Sequence, residues 1–312
     1  MTYLLLMIEV SRLNKTFGDF MAVRDVSFSI DRSHGITALL GPNGAGKTTT
    51  MRLLTGYLSP TSGRVVMNGI ELGDEDSRVQ AKRHVGYLPE STPLYPEMLV
   101  SEYLEFMGRV RGLAPDVLER NARRVIEQLE LGSHLYSPIA ILSKGFRQRV
   151  GLAATLIHDP AVIILDEPTS GLDPNQISHI RSLIKELGKE RTLILSTHVL
   201  QEVEDVCDRV IIINRGKIVR DDSMQALRGG NRVALIARGE NIIDTLRTFE
   251  EVSTVEARDL AGIPEGYLGV TCELKADNPE RLFARVAGTG WDVREFRPLA
   301  RSLEDIFHEF TA

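Results

Sequence analysis

The sequence predicts an α/β fold with a helical insertion, followed by a small α+β domain at the carboxyl end. Three observations lead there. Short β-branched runs alternate with helical stretches through the first two thirds of the 312 residues. Two of these runs, 162–165 and 192–196, are apolar nearly throughout, as a parallel strand covered on both faces requires. At Leu227-Arg228-Gly229-Gly230-Asn231 adjacent glycines break the pattern, and strands and helices resume beyond them in a shorter rhythm.

In chain order, strands are expected at 8–13, 26–30, 36–40, 64–67, 85–87, 162–165, 192–196 and 210–214. Between about 91 and 142 no β-branched strand occurs. There 101–110, with Tyr103, Leu104, Phe106 and Met107, reads as a helix, and so does 116–129, with Val117, Leu118, Val125, Ile126 and Leu129. Beyond the glycine pair we expect a strand at 233–237, a helix at 242–249, a strand at 268–274, a helix at 279–287, a strand at 291–296 and a helix at 302–310. In the last helix Leu303, Ile306, Phe307 and Phe310 recur at i, i+3, i+4 and i+7, which makes one apolar face. The expected domains are therefore 1–228 and 229–312.

Composition narrows the function. With 43% hydrophobic and 26% charged residues the chain can build a core, which excludes collagen-like, mucin-like and wholly disordered classes. A net charge of −6 argues against non-specific nucleic-acid binding, so no nucleic-acid partner is expected. Cys207 and Cys272 form no CxxC pair and read as reduced thiols, and the scattered histidines offer no metal cage. No apolar run approaches the roughly 18–20 residues of a membrane span. The apolar stretch 3–8 lacks the flanks of a signal peptide; the alternative reading is a start-site extension, with Met7 as the true beginning. A soluble cytoplasmic chain is expected.

The strongest chemical signal lies between the expected strand 36–40 and the helix after it. Gly41-Pro42-Asn43-Gly44-Ala45-Gly46-Lys47-Thr48 fits GxxxxGK[ST], with Thr49 completing the phosphate-binding set. A triphosphate needs many donors at close quarters. Gly44 and Gly46 let backbone N–H groups approach, and the helix directs its positive end at the phosphates. Lys47 supplies a point charge, and the Thr48 hydroxyl can ligate Mg²⁺. The run 162–165 ends in Asp166 and Glu167, the Walker B arrangement: Asp166 suits the Mg²⁺ shell, and Glu167 suits a general base for an attacking water.

Upstream, Leu142-Ser143-Lys144-Gly145-Phe146-Arg147-Gln148-Arg149 resembles the LSGGQ-x-[QR]-R signature of the ATP-binding-cassette (ABC) ATPases. Ser143 can cap the following helix and Gly145 permits close approach. The resemblance implies a mixed sheet core with an antiparallel β part and a helical subdomain at about 91–142. It implies ATP and Mg²⁺ as cofactors, with Glu167, His198 and Lys47 as catalytic groups. It further implies that Phe17 stacks on adenine, that Asp173 sits at a dimer seam, and that Ser143 and Gly145 meet the γ-phosphate held by a second subunit. His198, in Ser196-Thr197-His198, matches the switch histidine. Three positions depart from the pattern: Glu90 stands where the family has Gln, and Lys144 and Phe146 replace a Gly and a Gln. Glu90 can still reach Mg²⁺ through oxygen.

The resemblance covers nearly the whole chain. The single cassette with a small carboxyl-terminal domain looks like the ATPase subunits of ABC-2 type exporters, and Asp166–Gln176 is similar to the gliding-motility and multidrug-like subunits. The implied partners are an ABC-2 type membrane permease, docking near Glu90 and the helical insertion, and a second copy forming an ATP-bound homodimer. The implied location is peripheral, on the inner face of the cell membrane. The alternative is a soluble ABC ATPase that regulates a partner, or acts on nucleic acid or ribosomes, without transport.

Overall fold

Ile36–Leu40, Val162–Asp166 and Thr192–Thr197 are buried at every position and lie side by side as parallel strands. Two-sided burial of β-branched runs drives this arrangement. In the computed structural model, which describes residues 7–228, 232–257, 263–276, 278–299 and 303–311, they form the centre of a six-stranded sheet. Its order is Lys217–Ser223, Arg209–Asn214, Ile36–Leu40, Thr192–Thr197, Val162–Asp166, Val85–Leu88. All neighbours are parallel except Lys217–Ser223, which returns antiparallel to Arg209–Asn214. The register pairs Leu40 with Thr197 and Asp166 with Ser196. The loop after residue 40, the Asp166-Glu167 pair and His198 therefore leave the sheet at one carboxyl edge, where open α/β sheets bind ligands.

A second sheet is antiparallel, in the order Phe20–Ile30, Ile8–Phe17, Ser62–Met67, Ile70–Glu71. Both long strands outrun the expected 8–13 and 26–30. Register shifts between Val10 and Thr16 interrupt the alternation that sequence patterning relies on. Ile8, Leu13, Ile30 and Met67 from this sheet pack with Met51 and Leu54, the buried side of helix Lys47–Leu54, and with Ile164 and Ile211 of the large sheet.

The helical insertion is built from Val100–Val110 and Pro115–Gln128, leading to helix Lys144–Leu156. The Leu99 N–H donates to the Glu102 carboxylate at 3.0 Å, and Pro115 occupies the first helical turn; both are start signals. The Asn121 amide donates to the Ile157 carbonyl at 2.8 Å, which pins the insertion to the end of the Lys144–Leu156 helix.

The chain divides into two compact units, the second comprising Met224–Glu309. The expected start-site extension and the linker glycines Gly229 and Gly230 lie outside the described residues. In the second unit the strands Arg232–Arg238, Val252–Ala257, Leu268–Leu274 and Asp292–Leu299 alternate with helices Ile242–Arg247 and Pro279–Ala287 in a β-α-β-β-α-β sequence. Their sheet order is Val252–Ala257, Leu268–Leu274, Arg232–Arg238, Asp292–Leu299, antiparallel throughout. This is the ferredoxin-like pattern. Val233, Leu235, Val270 and Cys272 meet Leu246, Leu282 and Val286 in its core. Both cysteines are free and buried, and burial pushes the Cys272 thiol up to about 11.

His158 gives the fold a pH dependence. Its Nε2 lies 3.1 Å from the Val85 carbonyl, which can only accept, so Nε2 carries the proton; Nδ1 is buried without a partner. Burial, with the Arg111 charge secondary, holds its pKa near 4, below the ordinary 6.5. A lowered folded-state pKa contributes stability that is fully present above about 6.5 and is lost as pH falls toward 4, by at most about 3 kcal/mol. The urea midpoint should drop between pH 7.5 and pH 4.5, and it should drop less in His158→Gln.

Candidate active site

Residues 41–46 join strand Ile36–Leu40 to helix Lys47–Leu54, and two of their glycines take left-handed backbone, Gly44 at φ 79° and Gly46 at φ 104°. The two differ in what surrounds them. A Cβ on Gly46 would stand 2.5 Å from the Ala22 carbonyl oxygen, whereas one on Gly44 would meet nothing within 4 Å. Gly46 is thus demanded by the neighbouring antiparallel strand. Gly44 faces open space, where an anion can reach the backbone. Lys47 is buried, and its ammonium donates to the carbonyls of Gly41 at 2.8 Å and Pro42 at 3.3 Å.

Asp166 ends its strand fully buried. Its Oδ1 accepts from the Thr48 hydroxyl at 3.3 Å and from the Ser196 hydroxyl at 2.5 Å; its Oδ2 is buried with no partner. Burial pushes this carboxyl above the usual range, against the pull of the two hydroxyl donors. An orphaned carboxylate oxygen beside a threonine hydroxyl is the hard-oxygen donor set that Mg²⁺ prefers, so these residues fit the metal. Asp166 and Thr48 would hold it, and cation binding would displace any proton on Asp166.

Glu167 departs from the strand in left-handed backbone, φ 49°, a conformation that costs a non-glycine residue about 1–3 kcal/mol. Its N–H donates to both the carbonyl, at 3.2 Å, and the hydroxyl, at 3.1 Å, of Ser196, which hold the turn. The turn places one carboxylate oxygen 3.4 Å from the Lys47 ammonium and the other 2.9 Å from His198 Nδ1. Since a carboxylate only accepts, Nδ1 carries the ring proton. The Glu167 side chain is 8% exposed and that of His198 47%, so a buried acceptor meets a group open to solvent. This pair, next to an orphaned oxygen for a cation and a glycine loop for an anion, can activate water against a bound phosphate.

Three residues that the sequence reading left without a role belong here. Ser196 braces both Asp166 and Glu167. Its signal was a hydroxyl that directly follows the buried aliphatic run 193–195. Gln148 is buried, and its amide N–H donates to the Pro168 carbonyl at 2.9 Å while its Oε1 accepts from the Thr92 hydroxyl at 2.8 Å. Glu202 is buried and accepts from Thr169 and Thr197.

The remaining predicted residues stand apart from this cluster. Phe17 is 47% exposed at a hairpin tip, paired in register with Phe20, with the Lys15 ammonium 5.1 Å from its ring centre. The same hairpin brings Ala22 against Gly46. Ser143 caps helix Lys144–Leu156, its hydroxyl accepting from the Phe146 N–H at 3.3 Å. Gly145 was expected to let an anion approach. The approach it permits in this chain is that of the Gln176 side chain, 2.4 Å from where a Cβ would stand. Asp173 caps helix Pro174–Gly188, accepting from the Gln176 N–H at 3.0 Å. Glu90 is exposed, two residues beyond Leu88, which pairs with Leu165. Among the described residues no hydrogen bond or ion pair joins Ser143, Asp173 or Glu90 to Lys47, Thr48, Asp166 or Glu167.

A parallel sheet with a glycine phosphate loop and a strand ending in two carboxylates defines a P-loop nucleotide-hydrolase fold. Comparison with known proteins specifies it. The ABC transporter family model matches residues 23–170. Over 307 residues the chain is 38% identical to the uncharacterized ABC transporter ATP-binding protein YxlF of Bacillus subtilis, covering 96% of this chain and 98% of that one. Over 261 residues it is 32% identical to the linearmycin resistance ATP-binding protein LnrL of the same species, covering 81% and 83%. A solved structure of the ATP-binding subunit of an ABC transporter superposes with a TM-score of 0.65 at 31% identity, over 71% of this chain and 92% of that one. The chain belongs to the family of ABC transporter ATP-binding proteins, and it is an ATP-hydrolysing subunit of that family.

Gly46→Ala tests the loop. Left-handed backbone and the Ala22 carbonyl both oppose a methyl group there. The variant should lose about 1–3 kcal/mol of stability and most of the rise in melting temperature that MgATP gives the native protein. Thermal scans with and without MgATP measure both.

Proposed function

We propose that this subunit drives export through a separate ABC-2 type permease by closing and releasing a head-to-tail pair of cassettes around ATP. The observation that carries the reading is the Glu167 carboxylate, spanning Lys47 and His198 beside the orphaned Asp166 oxygen. The loop 41–48 cradles the phosphates, and Lys47, now on two carbonyls and Glu167, supplies the cation for the β- and γ-oxygens. Thr48 and Asp166 would hold Mg²⁺, which would supply charge neutralisation for the triphosphate there. Glu167 accepts a proton from water as the water oxygen attacks the γ-phosphorus and the bond to ADP breaks, its electron pair leaving with ADP. His198 orients Glu167 and can reach the γ-phosphate. Phe17 offers an exposed ring for adenine.

Ser143 stands at an exposed helix start and, among the described residues, makes no bond to Lys47, Asp166 or Glu167 of its own chain, which supports a second copy supplying it in trans. Asp173 and the adjoining loop then lie at the seam. No described helix is long and apolar enough to cross a membrane, which supports a peripheral position on a permease at the inner face of the cell membrane. The name of LnrL, a linearmycin resistance protein, supports outward transport.

Glu167→Gln should bind ATP, form dimer on a sizing column and hydrolyse about 10²-fold or more slowly than the native protein. Hydrolysis at the native rate would remove Glu167 as the base. Lys47→Ala should weaken ATP binding about tenfold or more in a filter assay; unchanged affinity would overturn the phosphate-loop reading.

A further inference from the structure

We propose that Glu202 is a positioning residue that sets the spacing between Glu167 and His198 by tying together the loops that carry them. The inference rests on the reading of Glu167 as base and His198 as its partner. Glu202 lies in the short helix Leu200–Val206 and is 4% exposed. Among the described residues no lysine, arginine or histidine pairs with it; its partners are hydroxyls. One oxygen accepts from Thr169, two residues after Glu167, and the other from Thr197 at 2.7 Å, immediately before His198.

The geometry gives each contact a consequence. Because the carboxylate only accepts, both threonines point their protons inward. The Thr197 oxygen is then free to accept from the Val199 N–H at 3.0 Å, so the hydroxyl before His198 is tied to the backbone after it. The Glu202 N–H donates to the Val199 carbonyl at 3.2 Å, which closes the turn that follows His198. On the other side Thr169 belongs to the segment that follows the left-handed turn at Glu167. The two loops thus meet twice: in front at the 2.9 Å contact between Glu167 and His198, and behind at Glu202. A buried carboxylate without a cation is costly to retain where an apolar side chain would pack. Its two acceptors are what allow one side chain to hold both loops. Displacing a base and its partner by about 1 Å can slow a reaction about 10²-fold.

The test compares steady-state kcat with equilibrium ATP affinity. Glu202→Ala should lower kcat about 10–100-fold while leaving the Kd for ATP within about twofold. Glu202→Gln, whose amide can accept from one threonine and donate to the other, should recover kcat to within about fivefold of native. Combined with His198→Ala, the Glu202→Ala loss should fall about fivefold or more short of the product of the single losses, since both act through one contact. Native kcat in Glu202→Ala, a parallel loss of kcat and ATP affinity, or multiplicative losses with His198→Ala would each overturn the proposal. If Glu202→Ala does not fold, Thr169→Val and Thr197→Val carry the test: a several-fold fall in kcat at native ATP affinity supports the proposal, and unchanged kcat overturns it. Failure of the base reading is distinguished by Glu167→Gln, which would then turn over at the native rate whatever Glu202 does.

Discussion

The site depends on keeping two carboxylates, Asp166 and Glu167, out of water at one edge of a parallel sheet, next to a single buried ammonium. Lys47 and Glu167 are 6% and 8% exposed, so their 3.4 Å separation is screened far less than a surface pair would be. Among the described residues no ion pair reaches Asp166, and burial raises its pKa against the pull of its hydroxyl donors and the Arg52 charge. The cluster therefore holds more negative charge than it neutralises, and one of its oxygens is unpaired. A divalent cation brought in with a triphosphate would relieve both deficits, and a phosphate chain would give Lys47 better acceptors than two backbone carbonyls. This imbalance supports the proposed affinity for a metal–nucleotide pair.

The sheet supplies that geometry through register. Pairing of Asp166 with Ser196 brings a hydroxyl to the Asp166 carboxylate and to the Glu167 N–H, and pairing of Leu40 with Thr197 brings the phosphate loop level with His198. A shift of either strand by one residue would turn Ser196 to the opposite face. The aliphatic run Val162–Leu165, fully buried on both faces, prevents such a shift, because it would drive Asp166 or Glu167 into the core. Packing thus fixes the relative positions of groups far apart in sequence.

How far the site could be read from sequence follows from the same fact. Gly41 to Thr48, Asp166 and Glu167 were readable because their chemistry lies in contiguous residues at the end of a patterned strand. His198 was readable only through the family resemblance, as the match of Ser196-Thr197-His198 to the switch histidine, since a histidine after a strand by itself points to no chemistry. Ser196, Gln148 and Glu202 were not, since each owes its role to a partner 20 or more residues away: Glu167 for Ser196, Pro168 for Gln148, Thr169 for Glu202. The closeness of the Gln176 side chain to Gly145 was likewise hidden, since that neighbour is known only once the Lys144–Leu156 helix and the Pro174–Gly188 helix are packed. In the fold, Val252–Ala257 escaped notice because only Val252 and Val255 are buried, a spacing unlike strand alternation. Helix Glu75–Lys82 escaped because it buries only Ala81 and depends on its Asp74 cap.

The segment after Glu167 shows how these distant partners combine. Pro168 offers its carbonyl to Gln148, which also takes the Thr92 hydroxyl, and Thr169 gives its hydroxyl to Glu202. The three consecutive residues Glu167, Pro168 and Thr169 are therefore held by the neighbouring strand, by the helix that opens with Ser143, and by the helix after His198. Thr92 lies two residues past Glu90, so the exposed loop leaving strand Val85–Leu88 connects through one buried amide to the backbone beside Glu167. The Gln148–Pro168 bond is buried and the Thr92–Gln148 bond partly so, and leaving a buried donor or acceptor unpaired costs about 1–3 kcal/mol. The loop at Glu90 cannot withdraw Thr92 without either carrying Gln148 with it or stranding that amide's acceptor. The left-handed turn at Glu167 is thus held from three sides, which is how a backbone conformation that costs energy by itself persists at the centre of the site.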